Sequence, residues 1–146
     1  MGEMKKHVLL FGELLMRLET PQQLRFVQAS RFDVGYTGGE ANAGVVLSGF
    51  GVDSYLLSVV PDNELGRSCT DHMRRFGLDT RHVRLGGPRL GLFFLETGAG
   101  QRATRVLYDR AGSSFSLLKP GDFPWREVLA GKDWLHFTGT TLQVQN

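Results

Sequence analysis

The stretch YTGGEANAGVVLSGFG, residues 36–51, sets two adjacent glycines, an acid and an asparagine directly before an apolar run. The apolar residues recur at helical spacing, and Gly44 would let a neighbouring element come close. The pattern predicts a helix from Glu40 to about Phe50. Because glycines cost backbone entropy and add nothing to a core, a pair of them suggests that something approaches the backbone closely at the helix entrance.

The rest of the chain alternates apolar runs with helical patterns. Runs bounded by turn residues predict strands at HVLLF (7–11), SYLLSVV (54–60), HVRL (82–85), LGLFFLET (90–97), TRVLYDR (104–110) and DWLHFTG (133–139), with a weaker candidate at LRFVQ (24–28). GAGQRA (98–103) between two of these runs predicts a hairpin connection, and FPWREVLAG (123–131) predicts a short helix. Strands that alternate with helices favour an α/β fold with a mostly parallel sheet.

The segment PDNELGRSCTDHMRRFG, residues 61–77, has the strongest helical pattern. Asp62 is predicted as the N-cap, and Gly77 is predicted to end the helix. One apolar stripe is expected from Leu65, Cys69, Met73 and Phe76.

Composition excludes several classes of protein. The chain has 146 residues and a formal net charge of +2, which is too small to argue for nucleic acid or a membrane surface as a partner. A single cysteine, Cys69, excludes an intramolecular disulfide and is typical of a reducing compartment, so a cytoplasmic location is expected. The four histidines show no metal-ligand spacing, so no metal site is predicted.

Two groups of residues are candidates for ligand binding. Gly38, Gly39 and Asn42 could hold a polar ligand at a helix N-terminus, although these residues taken alone favour a tight turn before a capped helix. Tyr108 and Arg110 fall on one face of a strand, where a guanidinium could pair with a carboxylate and a phenol could bond a hydroxyl. The alternative for this pair is an ordinary exposed strand face. Asp122 before the short helix is explained as a cap.

The motifs, in order, resemble the PfkB-type (ribokinase-like) carbohydrate kinases, and most closely the 2-keto-3-deoxygluconate kinase branch. The resemblance is carried by FGELLMRL, GGEANAGVVLSGFGVDSYLLSVVPDNELG, RLGLFFLETGAGQRATRVLYDRAGSS and DWLHFTGTTL, which together cover nearly the whole chain. The family folds as a central α/β sheet with a small β lid over the sugar. The resemblance implies lid strands near residues 13–36 and 90–110.

The resemblance also implies roles for individual residues. Gly38, Gly39 and Asn42 match the motif that contacts the sugar, and Tyr108 and Arg110 match lid residues that contact a sugar acid. Two further matches are Phe93, at a lid position often held by an aromatic residue, and Arg17, at the position after the opening strand where many members carry an aspartate.

The family's second motif, a Gly-Ala-Gly-Asp turn that supplies the catalytic base and anion hole, is absent from these residues. Residues 1–146 are therefore expected to be the N-terminal, sugar-binding part of a single ribokinase-like domain, with no catalytic residue of their own. ATP and Mg²⁺ are expected in the complete enzyme but not on this chain alone. A homodimer through the lid strands is expected in the complete protein. The alternatives are a non-catalytic sugar-binding module and a truncated fragment that dimerises through its lid.

Overall fold

The computed structural model describes residues 5–143, which form two four-stranded sheets and flanking helices. The strands are β1 (His7–Phe11), β2 (Leu15–Glu19), β3 (Asp33–Thr37), β4 (Asp53–Val60), β5 (Asp79–Leu85), β6 (Gly91–Glu96), β7 (Arg105–Asp109) and β8 (Trp134–His136). The helices are α1 (Gly39–Gly49), α2 (Glu64–Arg75), α3 (Trp125–Leu129) and α4 (Gly139–Gln143). The predicted α/β fold with a β lid is confirmed.

The core sheet consists of parallel strands in the order β5-β4-β1-β8. Alternate residues of β1 enter separate clusters on its two faces, which explains why HVLLF is apolar throughout. Val8 and Leu10 pack on the α1 and α2 side, whereas Leu9 and Phe11 pack on the side of α3 and Phe115. The result is a three-layer arrangement with β1 at its centre.

The lid sheet has the order β3-β2-β6-β7. Strand β2 pairs antiparallel with β3 and parallel with β6, and the hairpin partners β6 and β7 are antiparallel. An isolated bridge between Ala99 and Arg102 closes the predicted hairpin connection. Both sets of lid strands therefore lie in or at the ends of the ranges expected from the sequence.

Helix α1 confirms the prediction made from the glycine-rich stretch. A Cβ added at Gly44 would lie 2.6 Å from Leu78 Cδ2 and 3.1 Å from Leu10 Cδ1. The missing side chain is therefore what lets the helix pack closely on the core sheet.

Helix α2 differs from its prediction in its cap and in its buried face. Asn63, not Asp62, is the N-cap, and its side chain accepts a hydrogen bond from the Gly66 N–H at 3.0 Å. Asp62 instead pairs with Arg67. The buried residues of the helix are Gly66, Cys69, Thr70 and Met73. Leu65 and Phe76 of the predicted stripe are 47% and 51% exposed, whereas Cys69 and Met73 are buried as predicted.

The predicted weak strand at residues 24–28 is wrong. Its backbone groups are satisfied locally, since Thr20 Oγ1 donates to the Leu24 carbonyl at 2.7 Å and the Ala29 N–H donates to the Arg25 carbonyl at 3.1 Å. The Phe26 N–H donates to the carboxylate of Glu96 at 2.9 Å. With these groups bonded, the segment forms turns and does not join a sheet.

Strand β8 leaves apolar surface exposed. Within residues 5–143 it pairs only with β1, and Trp134 and Phe137 are 65% and 46% exposed. A groove of about 800 Å³ between β8 and α1 is lined mostly by apolar side chains, including Val46 and Leu47. Such exposure is unusual for a strand of a parallel sheet, because parallel sheets are ordinarily covered on both faces.

Gly66→Ala should lower the free energy of unfolding by about 1–3 kcal/mol, as overpacking in a well-packed core does. The added Cβ would lie 1.9 Å from the backbone oxygen of Pro61, and backbone atoms cannot yield cheaply. Gly49→Ala is the matched control, because nothing lies within 4 Å of a Cβ there and alanine favours the helix. Urea unfolding of both variants checks this, and equal losses would contradict the packing argument.

Candidate functional site

Four aligned positions form a row across one face of the lid sheet. Strand register pairs Arg17 with Gly35 on one side and with Phe93 on the other, and it pairs Phe93 with Tyr108. The rings of Phe93 and Tyr108 are stacked, with centroids 5.3 Å apart and an interplanar angle of 20°. The structure therefore brings three of the sequence-predicted site residues onto one surface.

Arg110 extends this surface beyond the end of β7. Its guanidinium carbon lies 5.8 Å from the centroid of the Tyr108 ring, so the predicted pairing of these two side chains is present. Its Nε donates to Glu13 Oε2 at 2.6 Å, and its side chain is 20% exposed. The guanidinium is therefore held at one nitrogen.

Asn42 and Arg17 line a common cavity of about 440 Å³, together with Gly35, Tyr36, Thr37, Val45, His72, Met73 and Phe76. The Asn42 Nδ2 donates to Thr37 Oγ1 at 3.2 Å, so the amide is oriented by the last residue of β3. Arg17 pairs with Glu19 at 3.4 Å, and its buried Nε has no hydrogen-bond partner among the described residues. The cavity thus presents an amide and a cation to a small polar ligand.

His72 contributes an aromatic and uncharged wall to this cavity. Its ring lies 5.5 Å from that of Tyr36 and 5.1 Å from that of Phe76. Desolvation by these neighbours lowers the pKa of His72, and the positive charges of Arg75 and Arg17 lower it further. The imidazole is therefore neutral at pH 7, which leaves Arg17 as the cation of this cavity.

The two glycines at the start of α1 have different surroundings. A Cβ at Gly38 would lie 2.6 Å from the carbonyl oxygen of Glu13, so the close neighbour there is the chain itself. At Gly39, the first residue of α1, nothing lies within 4 Å of an added Cβ. Packing accounts for Gly38, whereas Gly39 leaves open space beside the first N–H groups of the helix.

The carboxyl ends of β1 and β8 bring two buried carboxylates close to these residues. Glu13 follows β1, and its Oε1 accepts from Ser113 Oγ at 2.6 Å. Glu40 is 4% exposed, and its Oε1 accepts from the Thr138 N–H at 2.9 Å and the Thr138 hydroxyl at 2.8 Å. In the core sheet β1 lies between β4 and β8, so the strand order reverses at β1. Open α/β sheets bind ligands at the carboxyl ends of the strands where the order reverses.

The predicted sugar contact of Arg17 stays a prediction, and the structure places this residue on the lid sheet. Arg17 lies in the middle of β2, and the acidic residue that follows β1 is Glu13. Sequence reasoning gave no role to Glu13, although an acid directly after Gly12 at the end of a buried strand was a usable signal. Asp122 also differs from its prediction, since its carboxylate accepts from the Lys119 N–H at 2.7 Å and caps a turn, not the helix α3.

Among residues 5–143 no three acidic, histidine or cysteine side chains are grouped so that they could hold a metal ion. No helix in the same range is long and apolar enough to cross a membrane.

A parallel core sheet with a β lid, and polar residues beside them, are features that can be compared with known protein families. The sequence profile of the pfkB family of carbohydrate kinases matches residues 5–142. The chain belongs to this family.

Relatives with assigned activities support this membership. The chain is 32% identical over 120 residues to a 2-dehydro-3-deoxygalactonokinase of Haloferax volcanii, covering 82% of this chain and 37% of the relative. It is 31% identical over 139 residues to a 2-dehydro-3-deoxygluconokinase of Thermoproteus tenax, covering 92% of this chain and 42% of the relative.

A solved structure agrees in fold. The crystal structure of a 2-dehydro-3-deoxygluconokinase from Thermotoga maritima superposes with a TM-score of 0.93 at 42% identity, covering 97% of this chain and 43% of that one. The chain therefore spans about two fifths of the length of these relatives.

Proposed function

We propose that this chain is the sugar-binding, N-terminal part of a kinase that phosphorylates a keto-deoxy sugar acid such as 2-keto-3-deoxygluconate. The observation that carries the proposal is Arg110 beside the stacked rings of Phe93 and Tyr108 on the lid. A planar cation next to an aromatic surface suits a ligand that has both a carboxylate and a carbon chain. The names of the relatives with assigned activities point to the same class of substrate.

Each proposed sugar contact has a distinct chemical role. Arg110 would pair with the carboxylate, Tyr108 would bond a hydroxyl, and Phe93 would pack against the carbon chain. Asn42 offers both a donor and an acceptor for hydroxyls, and Arg17 adds a second cation on the same lid face. Gly38 would shape the entrance of α1, and Gly39 would let the ligand approach the backbone there.

ATP and Mg²⁺ belong to the complete enzyme in this proposal. Residues 5–143 offer no group of three acidic, histidine or cysteine side chains that could hold Mg²⁺. This chain's contribution would be to orient the sugar and exclude water beneath the lid, which lowers the barrier by positioning. The base that takes the hydroxyl proton would lie in the remaining part of the kinase.

Arg110→Ala should weaken binding of 2-keto-3-deoxygluconate by roughly 1.5–3 kcal/mol, the range for hydrogen bonds to charged groups. Binding of the corresponding amide, which lacks the negative charge, should change much less. NMR titration of the 146-residue chain with both ligands measures this difference at weak affinities.

Arg105→Ala is the control for this test, because Arg105 begins the same strand and is exposed. It should leave both affinities unchanged. Equal losses for the acid and the amide in Arg110→Ala would remove the carboxylate role. Failure of the wild-type chain to bind either ligand would contradict the proposed sugar site itself.

The 146-residue chain alone should not phosphorylate a sugar, because stabilising the transferring phosphoryl group depends on a nucleotide site that the chain lacks in this proposal. A coupled ATP-consumption assay with 2-keto-3-deoxygluconate checks this. Turnover that copurifies with the chain and disappears in Asp122→Asn would show that Asp122 is a catalytic aspartate. If a complete protein containing this chain also bound sugar without turnover, the alternative of a non-catalytic sugar-binding module would replace the kinase.

We also propose that the lid sheet forms a homodimer contact. A second row of register partners, on the face opposite the site, contains Val34, Leu18, Phe94 and Leu107. Val34 and Leu107 are 60% and 57% exposed, and each of the outer strands β3 and β7 pairs with only one lid strand. Exposed apolar surface and open strand edges both favour association with a second lid.

Leu107→Lys should shift the protein towards monomer in light scattering over a concentration series. A buried lysine at the contact would be costly, whereas Val27→Lys, at an exposed position outside the lid strands, should have no effect. A wild-type monomer at all concentrations would exclude the lid contact, and with it the lid-mediated dimerisation fragment.

A further inference from the structure

Glu13 is almost fully enclosed although it lies at the edge of the candidate site. Its side chain is 2% exposed, and both carboxylate oxygens accept hydrogen bonds from the segment after β7. Oε2 accepts from Arg110 Nε and Oε1 accepts from Ser113 Oγ, each at 2.6 Å. A buried carboxylate requires such partners because an unpaired charge in this position would be strongly destabilising.

The surroundings of Glu13 restrict its side chain to one arrangement. A Cβ at Gly91 would lie 2.5 Å from Oε1, so β6 leaves just enough room for the carboxylate. Ser113 Oγ also accepts the Ser116 N–H at 3.1 Å, and the Ser113 N–H donates to the Arg110 carbonyl at 3.0 Å. The turn between Arg110 and Ser113 thus directs two donors at one rigidly held carboxylate.

The bond at Nε matters for the rest of the guanidinium. Arginine has five N–H donors in a planar fork, and Nε carries one of them. Among the described residues Arg110 makes no other hydrogen bond, so its two terminal nitrogens keep their donors for a ligand. A guanidinium held at Nε and packed beside Tyr108 has its plane and direction set before any ligand arrives.

We propose that Glu13 is a positioning residue that holds Arg110 ready for the carboxylate of the sugar acid. The inference rests on the proposed function and adds the origin of its selectivity for acids. The ion pair joins the end of β1 in the core sheet to the end of β7 in the lid, so the cation is placed relative to both. The rival role is direct acceptance of sugar hydroxyls by Glu13, and the two roles predict different results.

A double-mutant cycle separates these roles. Glu13→Ala should weaken binding of 2-keto-3-deoxygluconate about tenfold, the lower end expected for a charged hydrogen bond, and leave binding of the amide nearly unchanged. Adding Glu13→Ala to Arg110→Ala should cause no further loss, because Glu13 acts through Arg110. Additive losses, or an equal loss for the amide, would show direct hydroxyl contact and overturn the proposal.

Two further variants keep the test decisive if Glu13→Ala destabilises the fold. In Arg110→Lys the ammonium can still pair with Glu13 but cannot offer a planar fork, so acid affinity should fall as far as in Arg110→Ala. Asp109→Asn is the control. Asp109 directly precedes Arg110 in the chain, but its exposed carboxylate pairs with Arg89. Asp109→Asn should keep the wild-type affinity for the acid. A loss equal to that of Arg110→Lys would show that the affinity depends on the charges of this region in general and not on the pairing of Arg110.

A readout without sugar tests the ion pair itself. The Arg110 Nε–H should give a sharp NMR signal with slow hydrogen exchange, and Glu13→Gln should accelerate that exchange. If the Arg110 Nε–H of the wild type exchanged as fast as the Nε–H of exposed Arg105, the proposal would be overturned, whatever the sugar-binding measurements gave. A protected Nε–H in a chain that binds neither ligand would instead refute the proposed function, and the role of Glu13 in acid binding with it.

Discussion

Two carboxylates buried at the carboxyl end of β1 require the surrounding segments to be in place. Glu13 accepts from Arg110 and Ser113, and Glu40 accepts from Thr138 and Thr141. Each carboxylate would be costly to bury without these partners, so the segment after β7 and the segment after β8 are both bound to the same end of the core sheet. The lid and the β8–α4 connection are thereby both positioned at the carboxyl end of β1.

Glycines at this point allow the carboxylates to fit. A Cβ at Gly12 would lie 2.1 Å from Glu40 Oε2, and one at Gly38 would lie 2.6 Å from the Glu13 carbonyl oxygen. The start of α1 can therefore lie directly against the end of β1. The position of Asn42 in the cavity and the open space at Gly39 both follow from this close approach.

Predictions succeeded where the pattern was local and strong. The apolar run HVLLF predicted the strand β1, and the glycine-rich stretch predicted α1 together with the close packing at Gly44. The segment at residues 24–28 failed because side-chain and turn hydrogen bonds, one of them from the distant Glu96, replaced strand pairing. The buried face of α2 also differs from the predicted stripe, since Gly66 and Thr70 are buried whereas Leu65 and Phe76 are exposed.

The sequence by itself determined the alternation of strands and helices, the family and most of the candidate site residues, because these depend on short motifs and their order. Tertiary structure alone decided that Arg17, Phe93 and Tyr108 share one row of the lid, since strand register joins residues far apart in the chain. It also decided that Glu13 meets Arg110 across 97 positions. No local pattern encodes such a pair, because the two charges meet, and offset each other's loss of hydration, only when folding buries them together.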